Sequence, residues 1–228
     1  MTYGWDFERY IAEVENGTDN GLQDYQQREL EFVLATPDLS ERTVIDVGAG
    51  YGRVLPKIAP HAQKYIAVER DENELVELRR RAADQNNSMV IEGSGNYLAE
   101  LVPAHKALLI SLQNTLGPWV GNREEAIAQL AEVSQIGKGD VIVSLFCAEA
   151  LTEWGLPMYA STSGLLGNYD ADASDIGKGI FRTDMGYESR WFFETEREDI
   201  KSQLGGSVVR QLTDPKFEIF QVSHNPSA

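Results

Sequence analysis

The sequence predicts an α/β fold in which a doubly wound, mostly parallel sheet is covered by helices on both faces. Three observations carry that prediction. Short β-branched runs alternate with helical patterns from residue 43 to residue 146, the order expected of right-handed βαβ units. The first run, Thr43-Val44-Ile45-Asp46-Val47, breaks directly into Gly48-Ala49-Gly50-Tyr51-Gly52, as a buried strand ending in a tight ligand-approachable loop does. The second run closes on an acid, Glu69, 19 residues beyond Gly50.

Residues 1–40 read as a helical extension. Trp5, Tyr10, Ile11 and Val14 fall near helical spacing, and Asn16 to Gly21 breaks the pattern. Leu22 to Ala35 is a second helix, with Leu30, Val33 and Leu34 as its apolar stripe and Pro37 as its stop.

Residues 41–146 form the core. After the glycine loop, Arg53 to Ala59 is the first helix, with Pro56 tolerated in its first turn. Lys64 to Glu69 is the second strand. Asp71 to Ala83 is a helix with Leu75, Leu78 and Ala82 on one face, and Met89 to Ile91 is the third strand, leading into Ser94-Gly95-Asn96. Ala107 to Ser111 is the fourth strand; its loop, Leu112 to Trp119, should face the glycine loop where the strand order reverses. Arg123 to Ile136 is a helix and Val141 to Phe146 the fifth strand.

The alternation then fails for 47 residues, 147–193, longer than such connections normally are. This segment is expected to be a substrate lid. It holds Glu149, Trp154, Met158 and Tyr159, a turn at Gly164 to Gly167, and a hairpin of Ile180 to Thr183 with Tyr187 to Phe193. Residues 194–228 close the chain with a helix, Thr195 to Leu204, and an antiparallel pair, Val208 to Leu212 with Phe217 to Val222. At 228 residues, one domain accommodates all four parts.

Composition narrows the partners. Lys and Arg total 20 against 36 Asp and Glu, a formal charge of −16, which repels phosphate backbones and anionic bilayers and so argues against nucleic acid and membrane partners. Cys147 is the single cysteine, which excludes an intrachain disulfide and any multi-cysteine metal site. The N-terminus lacks the pattern of a signal peptide, and a cytoplasmic location is expected.

The glycine loop is not a dinucleotide fingerprint. Counting from Gly48, the sixth place is Arg53, so the third glycine comes one residue early. Asp46, two residues before Gly48, suits a cationic ligand group such as an amine. Asp-x-Gly-x-Gly-x-Gly after a hydrophobic strand resembles motif I of the class I S-adenosylmethionine-dependent methyltransferases, and Asn114-Thr115-Leu116-Gly117 resembles motif IV of those acting on small molecules. The resemblance implies a Rossmann-like, seven-stranded sheet with an antiparallel last strand, and S-adenosylmethionine as cofactor. It implies cofactor contacts by Asp46, Gly48, Ala49, Gly50 and Gly52, with the ribose on Glu69 and Arg70 beside it. Ser94 stands where the family commonly has an acid for the adenine amino group, so Ser94, Gly95 and Asn96 are the adenine-side candidates. Gln113 and Asn114 are assigned to the cofactor's amino acid end. Leading helices often close over the cofactor in that family, so the resemblance implies Tyr3, Trp5 and Tyr25 as candidates to line the site.

The implied reaction is in-line displacement at the sulfonium methyl, achieved mainly by alignment and without a metal. Well-oriented reactants remove about 7 to 11 kcal/mol of such a barrier. Glu149 and Tyr159 are the candidates for a catalytic acceptor contact or base, and Trp119 and Trp154 join them as acceptor-binding candidates. The acceptor is expected to be a small molecule, on a monomer or homodimer; a protein or peptide acceptor, or a noncatalytic S-adenosylmethionine-binding role, stays open.

Overall fold

The computed structural model describes residues 7–16, 20–93, 106–117, 123–137 and 139–224. Five parallel strands come first: β1 (Thr43–Val47), β2 (Lys64–Glu69), β3 (Ser88–Glu92), β4 (Ala107–Ser111) and β5 (Asp140–Phe146). A short hairpin, β6 (Ile180–Arg182) with β7 (Glu188–Arg190), stands apart, and β8 (Ser207–Thr213) and β9 (Phe217–Ser223) complete the main sheet. Its order is β3-β2-β1-β4-β5-β9-β8, with β9 antiparallel to both neighbours. This is the Rossmann-like, seven-stranded sheet with an antiparallel last strand that the sequence predicts.

The helices are α1 (Phe7–Asn16), α2 (Asn20–Leu34), α3 (Leu55–Ile58), α4 (Glu72–Ala83), α5 (Arg123–Gly137), α6 (Leu156–Ser161), α7 (Ser163–Leu166) and α8 (Glu194–Gln203). Alternate strand residues serve two cores, as the period of two requires. Val44, Leu108, Ile110 and Ile142 pack with α2, α3, α4 and the 147–193 segment, whereas Ile45, Val47, Leu109, Val141 and Val143 pack with α5 and α8.

Three elements differ from expectation. The first core helix shrinks from Arg53–Ala59 to Leu55–Ile58, followed by a 3-10 turn at Ala59–His61, because Pro60 has no N–H for the helix ladder. The buried stripe of α2 is Tyr25, Glu29, Phe32 and Val33, not Leu30, Val33 and Leu34; Leu30 and Leu34 stay partly exposed. The turn expected at Gly164–Gly167 is α7, ended by Gly167 at φ 92.

Segment 147–193 is also more deeply built in than a simple cover. Trp191, Phe181 and Phe192 are fully buried, and Trp191 packs on Phe146 and Trp154. Side chains of this length bury enough apolar surface to make the segment part of the core. No helix among the described residues is long and apolar enough to cross a membrane.

Candidate functional site

The strand order turns at β1, which pairs with β2 on one side and β4 on the other. Ligands in open parallel sheets bind outside the carboxyl ends of the strands at this place. Here the two facing loops touch: a Cβ built on Gly48 would overlap the Thr115 methyl. Gly48 sits at φ 73, so its lack of a side chain is required both by the turn and by the opposing loop.

Glu69, at the end of β2, braces the glycine loop from the other side. Its Oε2 accepts the Gly50 N–H at 2.9 Å, and its Oε1 accepts the N–H groups of Arg70 and Asp71 at 2.6 and 2.9 Å. Arg70 itself is exposed beside it. Asp46 is buried under the loop and accepts the Tyr65 hydroxyl at 2.5 Å. Burial pushes its carboxyl up to about 7, against the opposing pull of Tyr65 and Arg53. A cation arriving beside Asp46 would restore its charge, which is the chemistry expected for an amino group.

Ala49 is buried in the loop and Gly52 packs against Leu78. Gln113 and Asn114 both adopt left-handed backbone, at φ 52 and 56, which asparagine tolerates well and glutamine does not favour. The Asn114 side chain is a tie: Oδ1 accepts the Phe146 N–H at 3.0 Å, and Nδ2 donates to the Arg190 carbonyl at 2.9 Å. It therefore joins the β4 loop to β5 and β7, and its side-chain amide is spent in that tie.

A further buried carboxylate, missed in the sequence, holds the assembly together. Glu29 of α2 is fully buried and pairs with Arg53; it also accepts the Tyr25 hydroxyl at 2.8 Å, the Gln113 N–H at 2.6 Å, and the Ser144 hydroxyl. One residue thus connects α2, the glycine loop, the β4 loop and β5. Tyr25, a candidate ligand contact of the extension, is spent in this network and fully buried. The signal was present: Tyr25, Glu29, Phe32 and Val33 follow helical spacing, with a charge in the middle of an apolar stripe.

Glu74 was also passed over. Its carboxylate lies against Gly50, 2.8 Å from where a Cβ would stand, and burial, then repulsion by Glu69 and Asp71, pushes it up to about 8.

On the acceptor side the expectations divide. Glu149 does not stand as a base: its Oε2 pairs with Arg197 at 3.0 Å and its Oε1 accepts the Glu194 N–H at 3.1 Å, at the start of α8. Partial burial opposes ionisation, but those bonds and its own backbone N–H hold the carboxyl below its ordinary value. Glu149 is therefore committed to α8. Tyr159 is buried, stacks on Phe181 at 4.0 Å, and accepts the Trp191 Nε1–H at 3.2 Å. Burial raises its phenol, while hydrogen bonds with Ser189, Trp191 and Tyr187 pull the other way, so it stays a neutral hydrogen-bonding ring.

Trp154 packs edge-on against Phe146 and Trp191, inside the core. Ser94, Gly95, Asn96 and Trp119 lie outside the described residues, as do Tyr3 and Trp5.

No family model matches the chain. It is 28% identical over 129 residues to a ribosomal RNA small subunit methyltransferase A of Koribacter versatilis, a match covering 57% of this chain and 44% of that protein. The chain thus matches less than half the length of this curated relative. Its fold is similar to that of an S-adenosylmethionine-dependent methyltransferase from Clostridium acetobutylicum (TM-score 0.61, 14% identity, 95% of this chain and 97% of the other). It is equally similar to magnesium protoporphyrin IX methyltransferase from Synechocystis, crystallised with S-adenosylhomocysteine (TM-score 0.60, 18% identity, 95% and 93%). The chain has the class I methyltransferase fold.

Proposed function

We propose that the protein is an S-adenosylmethionine-dependent methyltransferase acting on a small molecule held under segment 147–193. The observation that carries this reading is the contact of the Gly48 loop with the Thr115 loop at the strand-order reversal, with Asp46 and Glu69 at its two ends. The residues present suit the cofactor. Gly48, Gly50 and Gly52 give backbone access, the buried Asp46 carboxyl awaits a cation, and Glu69 retains lone pairs for ribose hydroxyls. Ser94, Gly95 and Asn96 belong to the adenine side of the same proposal, and Trp119 to the acceptor side.

S-adenosylmethionine supplies an activated methyl group. The chain's part is to align donor and acceptor and to exclude water: Glu29 and Asn114 fix the two loops, and Tyr159 lines the acceptor side. Small-molecule acceptors are favoured by the −16 charge, which opposes the phosphate backbone that a ribosomal RNA would present. A cytoplasmic location, where the buried Cys147 stays reduced, is part of this reading.

The test is Glu69→Ala. Affinity for S-adenosylmethionine should fall at least tenfold while the circular dichroism spectrum is unchanged; a variant that binds as tightly as wild type would reject the assignment.

A further inference from the structure

Asp46 and Tyr65 meet on the face of the sheet that α2, α3 and α4 cover. Asp46 stands beside Ala67 in the parallel pairing of β1 with β2, and Tyr65, two residues before Ala67, projects from the same face. The Tyr65 ring reaches along that face to the carboxyl end of β1, where its hydroxyl donates to Asp46 Oδ2 at 2.5 Å. Tyr65 is fully buried and Asp46 is only 2% exposed, so water does not compete for the bond. The hydroxyl has no other partner among the described residues. Packing alone would be served by phenylalanine at this position, and the hydroxyl adds only its hold on Asp46.

Three buried carboxylates surround the glycine loop, and two of them are fully engaged. Glu29 accepts hydrogen bonds on both oxygens, from Arg53 on one and from Tyr25, Gln113 and Ser144 on the other. Glu69 accepts on both oxygens as well, from the N–H groups of Gly50, Arg70 and Asp71. Asp46 differs: Oδ2 is held by Tyr65, and Oδ1 accepts no hydrogen bond among the described residues. The charged groups that face Asp46 are Arg53 of the glycine loop, which attracts its carboxylate, and Glu29 of α2 and Glu69 of β2, which repel it. Arg53 is already paired with Glu29, so this cluster of acids lacks one cation. A buried carboxylate with one oxygen unmatched calls for a charged donor on that oxygen.

We propose that Tyr65 is a positioning residue of the donor site, whose hydroxyl fixes Asp46 so that Oδ1 receives the ammonium group of the cofactor's amino acid end. The inference rests on the methyltransferase reading above. Tyr65 is fully buried and acts only through Asp46. Burial pushes the Asp46 carboxyl up to about 7, and the Tyr65 hydroxyl is the strongest of the groups that oppose it. Below that pH the chain must release the Asp46 proton before the ammonium can pair with it, so cofactor affinity climbs as pH rises and levels off once Asp46 is ionised. Without the Tyr65 hydroxyl the carboxyl holds its proton more tightly, and the climb moves to higher pH.

The experiment titrates the full chain by calorimetry with S-adenosylhomocysteine and with methylthioadenosine, which has the same adenine and ribose but no amino acid end. Between about pH 6 and about pH 8.5, wild type should bind S-adenosylhomocysteine more tightly as pH rises, with methylthioadenosine unaffected. In Tyr65→Phe, S-adenosylhomocysteine affinity should fall about tenfold at about pH 6, the equivalent of one pKa unit, and the deficit should narrow toward about pH 8.5. Methylthioadenosine affinity should stay within about twofold of wild type, and adding Tyr65→Phe to Asp46→Asn should change S-adenosylhomocysteine affinity by less than about twofold. An unshifted pH profile in Tyr65→Phe, a loss shared by methylthioadenosine, or an equal loss in the Asp46→Asn background would overturn the role of Tyr65 alone. Wild-type protein that binds neither compound would overturn the methyltransferase reading and this proposal with it.

Discussion

The two halves of the site are built by different means. The donor half, from Asp46 to Glu69, is made of backbone: glycines without Cβ atoms, N–H groups turned onto one carboxylate, and two strand ends brought together by parallel pairing. The proposed acceptor side is made of side chains, with Tyr159, Phe181 and Trp191 brought together from α6, β6 and the residue after β7. A backbone site is written in a few consecutive residues, because only glycine suits its torsions. A side-chain site is written in residues whose meeting depends on the whole fold.

Between the halves stands the Glu29–Arg53 pair, and its loss should have the largest effect. Glu29→Ala leaves the Arg53 guanidinium buried without a counterion, and breaking such a pair costs about 3 to 5 kcal/mol. Urea unfolding should show a midpoint lowered accordingly, with Glu29→Gln intermediate. A loss below about 1 kcal/mol would mean that α2 is not what couples the two loops.

Gly48→Ala strikes the donor half alone. A left-handed backbone costs about 1 to 2 kcal/mol for a residue with a Cβ, and overlap with the Thr115 methyl adds about 1 to 3 kcal/mol. S-adenosylhomocysteine affinity should fall more steeply than stability. Equal affinity in this variant would place the ligand away from the loop.

Asn114→Ala breaks the tie from the β4 loop to β5 and β7. It leaves the Phe146 N–H and the Arg190 carbonyl without their partner, worth about 1 to 3 kcal/mol each. Because the tie runs into the β6–β7 hairpin, in the segment under which the acceptor is proposed to lie, acceptor KM should rise more than cofactor affinity falls in a methyl-transfer assay. The reverse order would make Asn114 a direct cofactor ligand.

The smallest effect is a dependence of stability on pH. Burial first, then neighbouring acids, pushes Asp46 up to about 7 and Glu74 up to about 8. Unfolded carboxyl groups ionise near about 4, so across this window the folded state holds more protons and loses stability as pH rises. The Asp46 contribution ends near pH 7 and the Glu74 contribution near pH 8. Denaturation measured from about pH 5 to pH 9 should therefore show a shallower decline in Asp46→Asn up to pH 7 and in Glu74→Gln up to pH 8. Unaltered slopes would show both groups ionised and solvated in the folded chain.

The same contrast explains what could be read in advance. Parallel order, the glycine loop and the placement of Glu69 at the end of β2 were legible because each depends on local torsions and a fixed spacing, whereas the bracing of the loop by Glu69 was not foreseen. The meeting of the Gly48 and Asn114 loops followed from topology. Glu29 was less visible: a carboxylate on an apolar stripe announces burial, but not the arginine that neutralises it from 24 residues away. Glu149 misled for a related reason. Its closeness to the end of β5 suggested an acceptor contact, whereas the start of α8, remote in sequence, claims it. Tyr159 was expected on the acceptor side from its place in segment 147–193, whereas its stacking on Phe181 and its bond to Trp191 depend on how the hairpin docks.

The most direct measurement of the central claim is calorimetric titration of the purified chain with S-adenosylhomocysteine, S-adenosylmethionine and NAD. One-site binding of the first two and no heat from the third is the predicted result. Tight NAD binding with no response to either S-adenosyl compound would contradict it.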